Sequence, residues 1–267
     1  MLIKSKIAIN CKITNTENII YFPNGEFRFK SFEFNGGTVY LPELFDIRCT
    51  KNIIFTNCKI NKREDKSKVV FISKAINIDN LVMFDKIDWR IDNTPTKDVN
   101  EYRNSYIDIR NIYLNLDKYN NEVFSKSKFS DPLFIITSSN NVSLYNTTVL
   151  EGSNFKIFEF KGCNSLNIVN FYRKTKSIKN YTIGIEGTNT TDISEFNLVC
   201  ENESKDYAIV YSPKDSDFFK NVSITDFRAS NCGFVNINGC ILNSFRLSNG
   251  VLTKSLFVDS KNSNILE

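Results

Sequence analysis

The chain of 267 residues contains no histidine, and that absence removes more chemistry than any other feature of the composition. Ser-His and Cys-His nucleophile pairs, imidazole acids and bases, and histidine-dependent zinc sites are all excluded. Any reaction must run on carboxylates, Lys, Arg, Tyr or Cys. Alanine, the best helix former, occurs only at Ala8, Ala75, Ala208 and Ala229, whereas Phe and Tyr number 23 and 11. That balance disfavours helices and favours strands. Charge of one sign never gathers into a block: 34 basic and 30 acidic side chains are spread along the chain and leave +4. Without a basic stretch there is no electrostatic footprint for nucleic acid, which is not an expected partner. No uncharged apolar run is long enough to cross a bilayer, so membrane insertion is not expected either.

The seven cysteines, Cys11, Cys49, Cys58, Cys163, Cys200, Cys232 and Cys240, include no CxxC pair. They read as reduced core residues, and no disulfide, metal or other cofactor is expected. Residues Met1 to Asn10 lack the uninterrupted apolar segment of a signal peptide. The expected place of synthesis is a reducing cytoplasm, with a virion or cell surface reached by a route that uses no signal peptide.

What is present is a repeat in two registers. The first is an apolar alternation ending in a small or turn-forming residue, as in Val70-Phe-Ile72-Ser, Phe134-Ile-Ile136-Thr, Phe158-Glu-Phe160-Lys, Ile183-Gly-Ile185-Glu, Ile209-Val-Tyr211-Ser, Val235-Asn-Ile237-Asn and Leu256-Phe-Val258-Asp. The residues that follow the last apolar position, Thr137, Lys161, Glu186, Ser212, Asn238 and Asp259, recur at intervals of 24, 25, 26, 26 and 21. The second register ends in Asn or Asp, as in Asn52-Ile-Ile-Phe-Thr-Asn57, Asn80-Leu-Val-Met-Phe-Asp85, Asn141-Val-Ser-Leu-Tyr-Asn146, Ser165-Leu-Asn-Ile-Val-Asn170 and Asn221-Val-Ser-Ile-Thr-Asp226. Both have period two, so both predict strands.

Strands recurring at this interval with no helical pattern between them predict an all-β fold, a right-handed parallel β-helix of roughly nine coils. The alternative is a β-sandwich, whose strands lack a fixed repeat. Inward residues stack on their equivalents in the next coil, and Val70, Ile136, Phe160, Ile185, Tyr211, Ile237 and Val258 are expected to form one continuous core. The Asn and Asp positions suit a turn, because these side chains tolerate a left-handed backbone and bond neighbouring peptide groups. Residues 1–39 are expected to be a cap segment and 40–267 the solenoid. The charged stretch Asp85 to Asp98, which holds the single Trp, is expected to be a loop excursion.

On this repeat, and on the opening Ile19-Ile-Tyr-Phe-Pro-Asn-Gly-Glu-Phe-Arg-Phe29, the chain resembles the pectate-lyase-like superfamily of single-stranded β-helices, which includes polysaccharide depolymerases and phage tailspikes. The resemblance implies a carbohydrate-active β-helix that hydrolyses a bacterial surface polysaccharide. No catalytic signature of the family is visible to carry over. A non-catalytic glycan-binding or structural β-helix of a tail or surface appendage, and a polysaccharide lyase, are the other readings. A homotrimer is the assembly considered.

Three features could carry function. Glu159, Lys161 and Glu186 should face outward on adjacent coils, with the two carboxylates roughly 8 Å apart at Cα, near the separation of an inverting glycosidase pair. Gly184, opposite Glu159, would leave room for a sugar ring, and Asn236 and Asn238 would extend the binding wall. A cross-strand ion pair is the plain reading of the same three side chains. Asp88, Trp89 and Arg90 could present an indole to a sugar face and a guanidinium to its carboxylate. Phe84, Tyr113, Tyr145 and Phe196 could form an outward aromatic stripe.

Overall fold

The computed structural model describes residues 9–15, 19–93, 105–119, 131–138, 140–151, 155–212, 219–261 and 264–265. Among them, regular structure is almost wholly strand, with one short 3₁₀ turn at Asp117–Tyr119. All strand pairings are parallel, and each strand pairs with its equivalents one repeat earlier and later. The chain is a parallel β-solenoid of about nine turns.

Each coil is built from a short strand, such as Phe158–Lys161, and a long one, such as Ser165–Thr175, that bends in its middle. The bend falls where the sequence places Asn. Asn57, Asn80, Asn111, Asn146, Asn170 and Asn249 all have φ between 52° and 58°. Asn adopts this left-handed region at less cost than most residues. The bending residue drops out of the pairing, so the register steps from Tyr145↔Val169 to Thr147↔Phe171. Its amide is used instead along the solenoid: Nδ2 of Asn57 donates to Oδ1 of Asn35 at 2.7 Å, Asn80 to Asn57 at 2.8 Å, Asn111 to Asp79 at 2.7 Å, Asn146 to Asn111 at 3.0 Å and Asn170 to Asn146 at 3.1 Å. In the coil of residue 80, this Asn was expected to open a strand and instead bends it.

Inside, equivalent positions stack. One column runs Val69, Trp89, Phe134, Phe158, Ile183, Ile209, Val235, Val258, and another runs Phe71, Ile91, Ile136, Phe160, Ile185, Tyr211. The Trp89 and Phe134 rings stack at 5.7 Å and the Phe134 and Phe158 rings at 4.7 Å. Ile136, Phe160, Ile185, Tyr211 and Ile237 are buried as expected. Two expectations shift register. Val70 is outward, because Val69 and Phe71 are fully buried; within the apolar run Val69 to Ile72 alternation gives no marker of phase. Val258 is half-buried and stacks on Val235, so Asp259 pairs with Asn236, 23 residues earlier, rather than with Asn238. The short interval of 21 was a misalignment.

One further correction follows. The stretch around Trp89 is not an excursion: Asp88–Asp92 is a strand between Lys68–Ile72 and Phe134–Thr137, and Trp89 is 1% exposed. Thr94 to Asp98 of that stretch lie outside the described residues. Parallel pairing also begins ahead of residue 40, with Asn10–Thr14 on Gly25–Asn35 and the latter on Leu44–Lys62.

An inward position of the later coils is charged. Arg173 stands between Val149 and Leu198 of the adjacent coils and is fully buried. It is paired with Glu151, also buried; its Nη1 donates to Thr182 Oγ1 at 2.5 Å and its Nη2 to the Phe155 carbonyl at 2.8 Å. A buried charge is tolerated only when paired and bonded in this way.

Ile185→Ala is expected to destabilise the fold by roughly 2–5 kcal/mol, because the coils above and below cannot close on the cavity. A chemical-denaturation midpoint unchanged from wild type would contradict its burial. Asn146→Ala should cost about 1–2 kcal/mol, combining the left-handed backbone with two lost ladder bonds, and Asn146→Gly, which restores the backbone freedom, should recover part of it.

Candidate functional site: the outward face of the short strands

Outward positions of the short strands form a straight column, Glu26, Asp46, Val70, Arg90, Ile135, Glu159, Gly184, Val210, Asn236, Asp259. A second column two residues on contains Arg28, Arg48, Ile72, Asp92, Thr137, Lys161, Glu186 and Ser212. The pairing therefore places Glu159, Lys161, Glu186, Asn236, Asp88 and Arg90 on one face. Strand spacing of about 4.8 Å makes this face a flat, regularly ruled surface.

At its centre the Lys161 ammonium lies 3.4 Å from Glu159 Oε2 and 3.6 Å from Glu186 Oε2. The carboxylates are thus joined through one cation. Tyr181, which the sequence reading passed over, donates its hydroxyl to Glu159 Oε1 at 3.2 Å. Burial and then the Glu159 charge push the Tyr181 hydroxyl well above its ordinary value, so it remains a donor. The Lys156 ammonium sits over the same ring at 5.1 Å.

Gly184 does not leave a vacancy for a sugar. A Cβ there would come within 2.9 Å of the Tyr181 ring, which fills the space itself. Gly233 repeats the device in the next coils: it pairs with Tyr207, whose ring would stand 2.4 Å from an added Cβ. The signal was a Tyr placed three residues before Gly184, and another in register with Gly233.

Toward the N-terminal coils, Arg90 pairs with Asp88, lies 3.8 Å from Asp131, and donates to the Trp89 carbonyl at 3.0 Å. Its guanidinium is committed within the protein. Burial raises the Asp88 carboxyl against the opposing pull of Arg90 and Lys68. Trp89 cannot stack on a surface sugar, because its ring is in the core while its neighbours Asp88 and Arg90 point outward. Alternation of Ile87, Trp89 and Ile91 with Asp88, Arg90 and Asp92 was the available signal. Toward the C-terminal coils, Asn236 Oδ1 accepts from the Asn238 backbone N–H at 2.9 Å, a turn bond, and Tyr207 donates to Asp259 Oδ2 at 2.8 Å. The aromatic stripe does not exist as one column: Tyr145 pairs with Val169, Tyr113 with Thr148, and Phe196 is fully buried on Phe171 at 5.1 Å. Phe196 turns inward because Glu195 takes the left-handed bend, with φ 54°.

A separate shallow concavity of about 340 Å³, lined by Asn170, Glu195, Asp226, Arg228 and Asn249 among others, lies along the bends and not on this face. No group of three or more metal-ligating side chains occurs among the described residues.

Burial, followed by the bond to Asp259, raises the Tyr207 hydroxyl to about 12. A folded value above the unfolded one means that this group's contribution is complete below about pH 10 and is lost as pH rises toward 12. Tyr207→Phe should therefore flatten the loss of thermal stability between pH 10 and 12 relative to wild type. Parallel curves for the two proteins would show that the Tyr207 bond to Asp259 is absent in solution.

Comparison of the chain with models of protein families, with characterised proteins and with solved structures gives no match in any of the three.

Proposed function

We propose that the outward face of the short strands is a binding surface for an extended polysaccharide, and that the protein is a glycan-binding β-solenoid of a tail or surface appendage. The observation that carries this reading is the Glu159–Lys161–Glu186 triad in the middle of a flat, straight wall on which polar and charged side chains are mixed with Val70, Ile72, Ile135 and Val210. A ruled surface suits a linear polymer with repeating hydroxyl and carboxylate groups better than it suits a small molecule, which needs enclosure. The carboxylates accept sugar hydroxyls and the ammonium serves uronate or ring oxygens.

The tailspike-type depolymerase remains the second reading, with Glu159 and Glu186 as acid and base acting on a bacterial surface polysaccharide. It is favoured by two outward carboxylates set diagonally on adjacent coils. Against it stands the Lys161 ammonium, which occupies the space where an inverting pair would hold a water, about 6.5–9.5 Å wide between carboxyl groups. A general acid also needs a desolvated carboxyl, and both glutamates are ion-paired and partly exposed.

Purified capsular and lipopolysaccharide glycans, neutral and uronate-bearing, separate the readings in one experiment that records binding and new reducing ends together. The expected result is binding that weakens with salt, produces no reducing ends and falls at least about fivefold in Lys161→Met. Reducing ends that disappear in both Glu159→Gln and Glu186→Gln would establish the hydrolase instead. A protein that binds none of these glycans would overturn both.

A further inference from the structure

The concavity of about 340 Å³ along the bends lies where the amide ladder stops. From Asn57 to Asn170, each bending Asn gives its side-chain amide to the coil before. The next equivalent bends, fixed by Val169↔Ser194, Ser194↔Thr225 and Thr225↔Ser248, fall on Glu195, Asp226 and Asn249, with φ of 54°, 52° and 55°. A carboxylate has no N–H to give, so Asn170 Oδ1 receives no amide from the coil after it. Two carboxylates then follow one another at a single coil step of about 4.8 Å. On the short-strand face, two carboxylates on adjacent coils are joined by the Lys161 ammonium. Along the bends no side chain plays that part: among the described residues, no ion pair or side-chain hydrogen bond engages Glu195, Asp226 or Arg228. Arg228 stands one column further on, between Asn197 and Val251, and lines the same concavity.

We propose that this concavity binds a saccharide unit bearing a free ammonium group, an amino sugar without N-acetylation. An ammonium carries three donors and no acceptor, which complements a row of acceptors made by Asn170 Oδ1 and the carboxylates of Glu195 and Asp226. The spacing fits as well. Two oxygens bound to one tetrahedral nitrogen at about 2.8 Å stand about 4.6 Å apart, close to the coil step. Two carboxylates against one guanidinium leave the concavity negative, so it attracts a cation and repels a uronate. Arg228 and the amides of Asn197 and Asn249 supply donors for sugar hydroxyl and ring oxygens, and Val251 supplies an apolar contact for the C–H face of the ring. The volume falls at the lower end of the roughly 300–1,000 Å³ range of small-ligand sites. This site lies apart from the short-strand face and takes a ligand of the opposite charge.

Acidic bends work against the fold, and that separates a binding role from a structural one. Glu occupies the left-handed backbone at greater cost than Asn, and neighbouring like charges repel. Replacing both acids, as Glu195→Asn with Asp226→Asn, restores a residue suited to each bend and allows the amide ladder to run on from Asn170 to Asn249. The double variant should therefore melt about 2–4 °C above wild type while losing its ligand.

Titration calorimetry at about pH 5.5, where carboxylates are ionised and amines protonated, provides the test. The probes are a glucosamine tetrasaccharide, its N-acetylated counterpart, spermidine and calcium chloride. The expected result is binding of the glucosamine oligosaccharide at least about tenfold tighter than of the N-acetylated one, weakening with salt. Its affinity should fall at least about tenfold in the double variant and also in Asp226→Asn alone. Unchanged affinity in either variant would place the amine elsewhere and overturn the proposal. A lower melting midpoint in the double variant would show that the carboxylates serve the fold and would overturn it too. Spermidine bound as tightly as the oligosaccharide would remove the saccharide assignment, and calcium bound in place of either amine would replace it with a metal site. None of these substitutions touches the short-strand face, so failure here and failure of glycan binding there are told apart.

Discussion

The coils of this solenoid turn at the same place, and from Asn35 to Asn170 a side-chain amide ladder along the bends holds that turn. An Asn at the bend does two things that no other residue combines so well. It accepts the left-handed backbone at low cost, and its amide offers one donor and one acceptor, so it can receive from the coil on one side and give to the coil on the other. The bonds from Asn57 to Asn35, Asn80 to Asn57 and Asn146 to Asn111 are that arrangement, coil after coil. Once the bend is fixed, the residues on either side have no freedom of register. A one-residue slip would turn Ile and Phe columns outward and bring charged columns in. The core stacks and the flat outer face are therefore consequences of the same constraint.

This explains which parts of the fold could be read in the sequence. The period, the inward position of Ile136, Phe160 and Ile185, and the Asn turns are each written as a repeated residue type, so they were legible. Phase was lost where residue type stops discriminating. Val69 to Ile72 is apolar throughout, so only pairing with Trp89 and Arg90 shows that Val70 faces out. Trp89 was misplaced for the opposite reason, since its charged neighbours suggested a loop although they are the outward half of a strand. Phe196 was assigned to the surface because Glu195, and not an Asn, makes the bend in its coil.

The outer face was legible only as an inventory. Alternation shows that Glu159, Lys161 and Glu186 point outward on adjacent coils, and the structure joins them through Lys161 Nζ. Alternation cannot show where a long side chain lies once it leaves the backbone. Tyr181 folds over Gly184 and reaches back to Glu159, so the space that a missing side chain suggested is occupied by a ring. Arg90 likewise points outward as expected but spends its donors on Asp88 and on the Trp89 carbonyl. In a stacked fold, outward glycine and aromatic residues have to be considered together across coils, because one compensates for the other.

Burial of Arg173 and Glu151 marks the place where the repeat is broken from inside. Arg173 occupies an inward position that Val149 and Leu198 fill in the coils on either side, and it reaches Glu151, Thr182 and the Phe155 carbonyl, all in different segments. An apolar residue of similar volume would stack there without any desolvation cost. The pair does something that an apolar side chain would not: through Arg173 it ties the Thr182 hydroxyl and the Phe155 carbonyl to one point of the interior. Where the neighbouring coils stack apolar side chains, this one thus carries a charged cross-brace between segments.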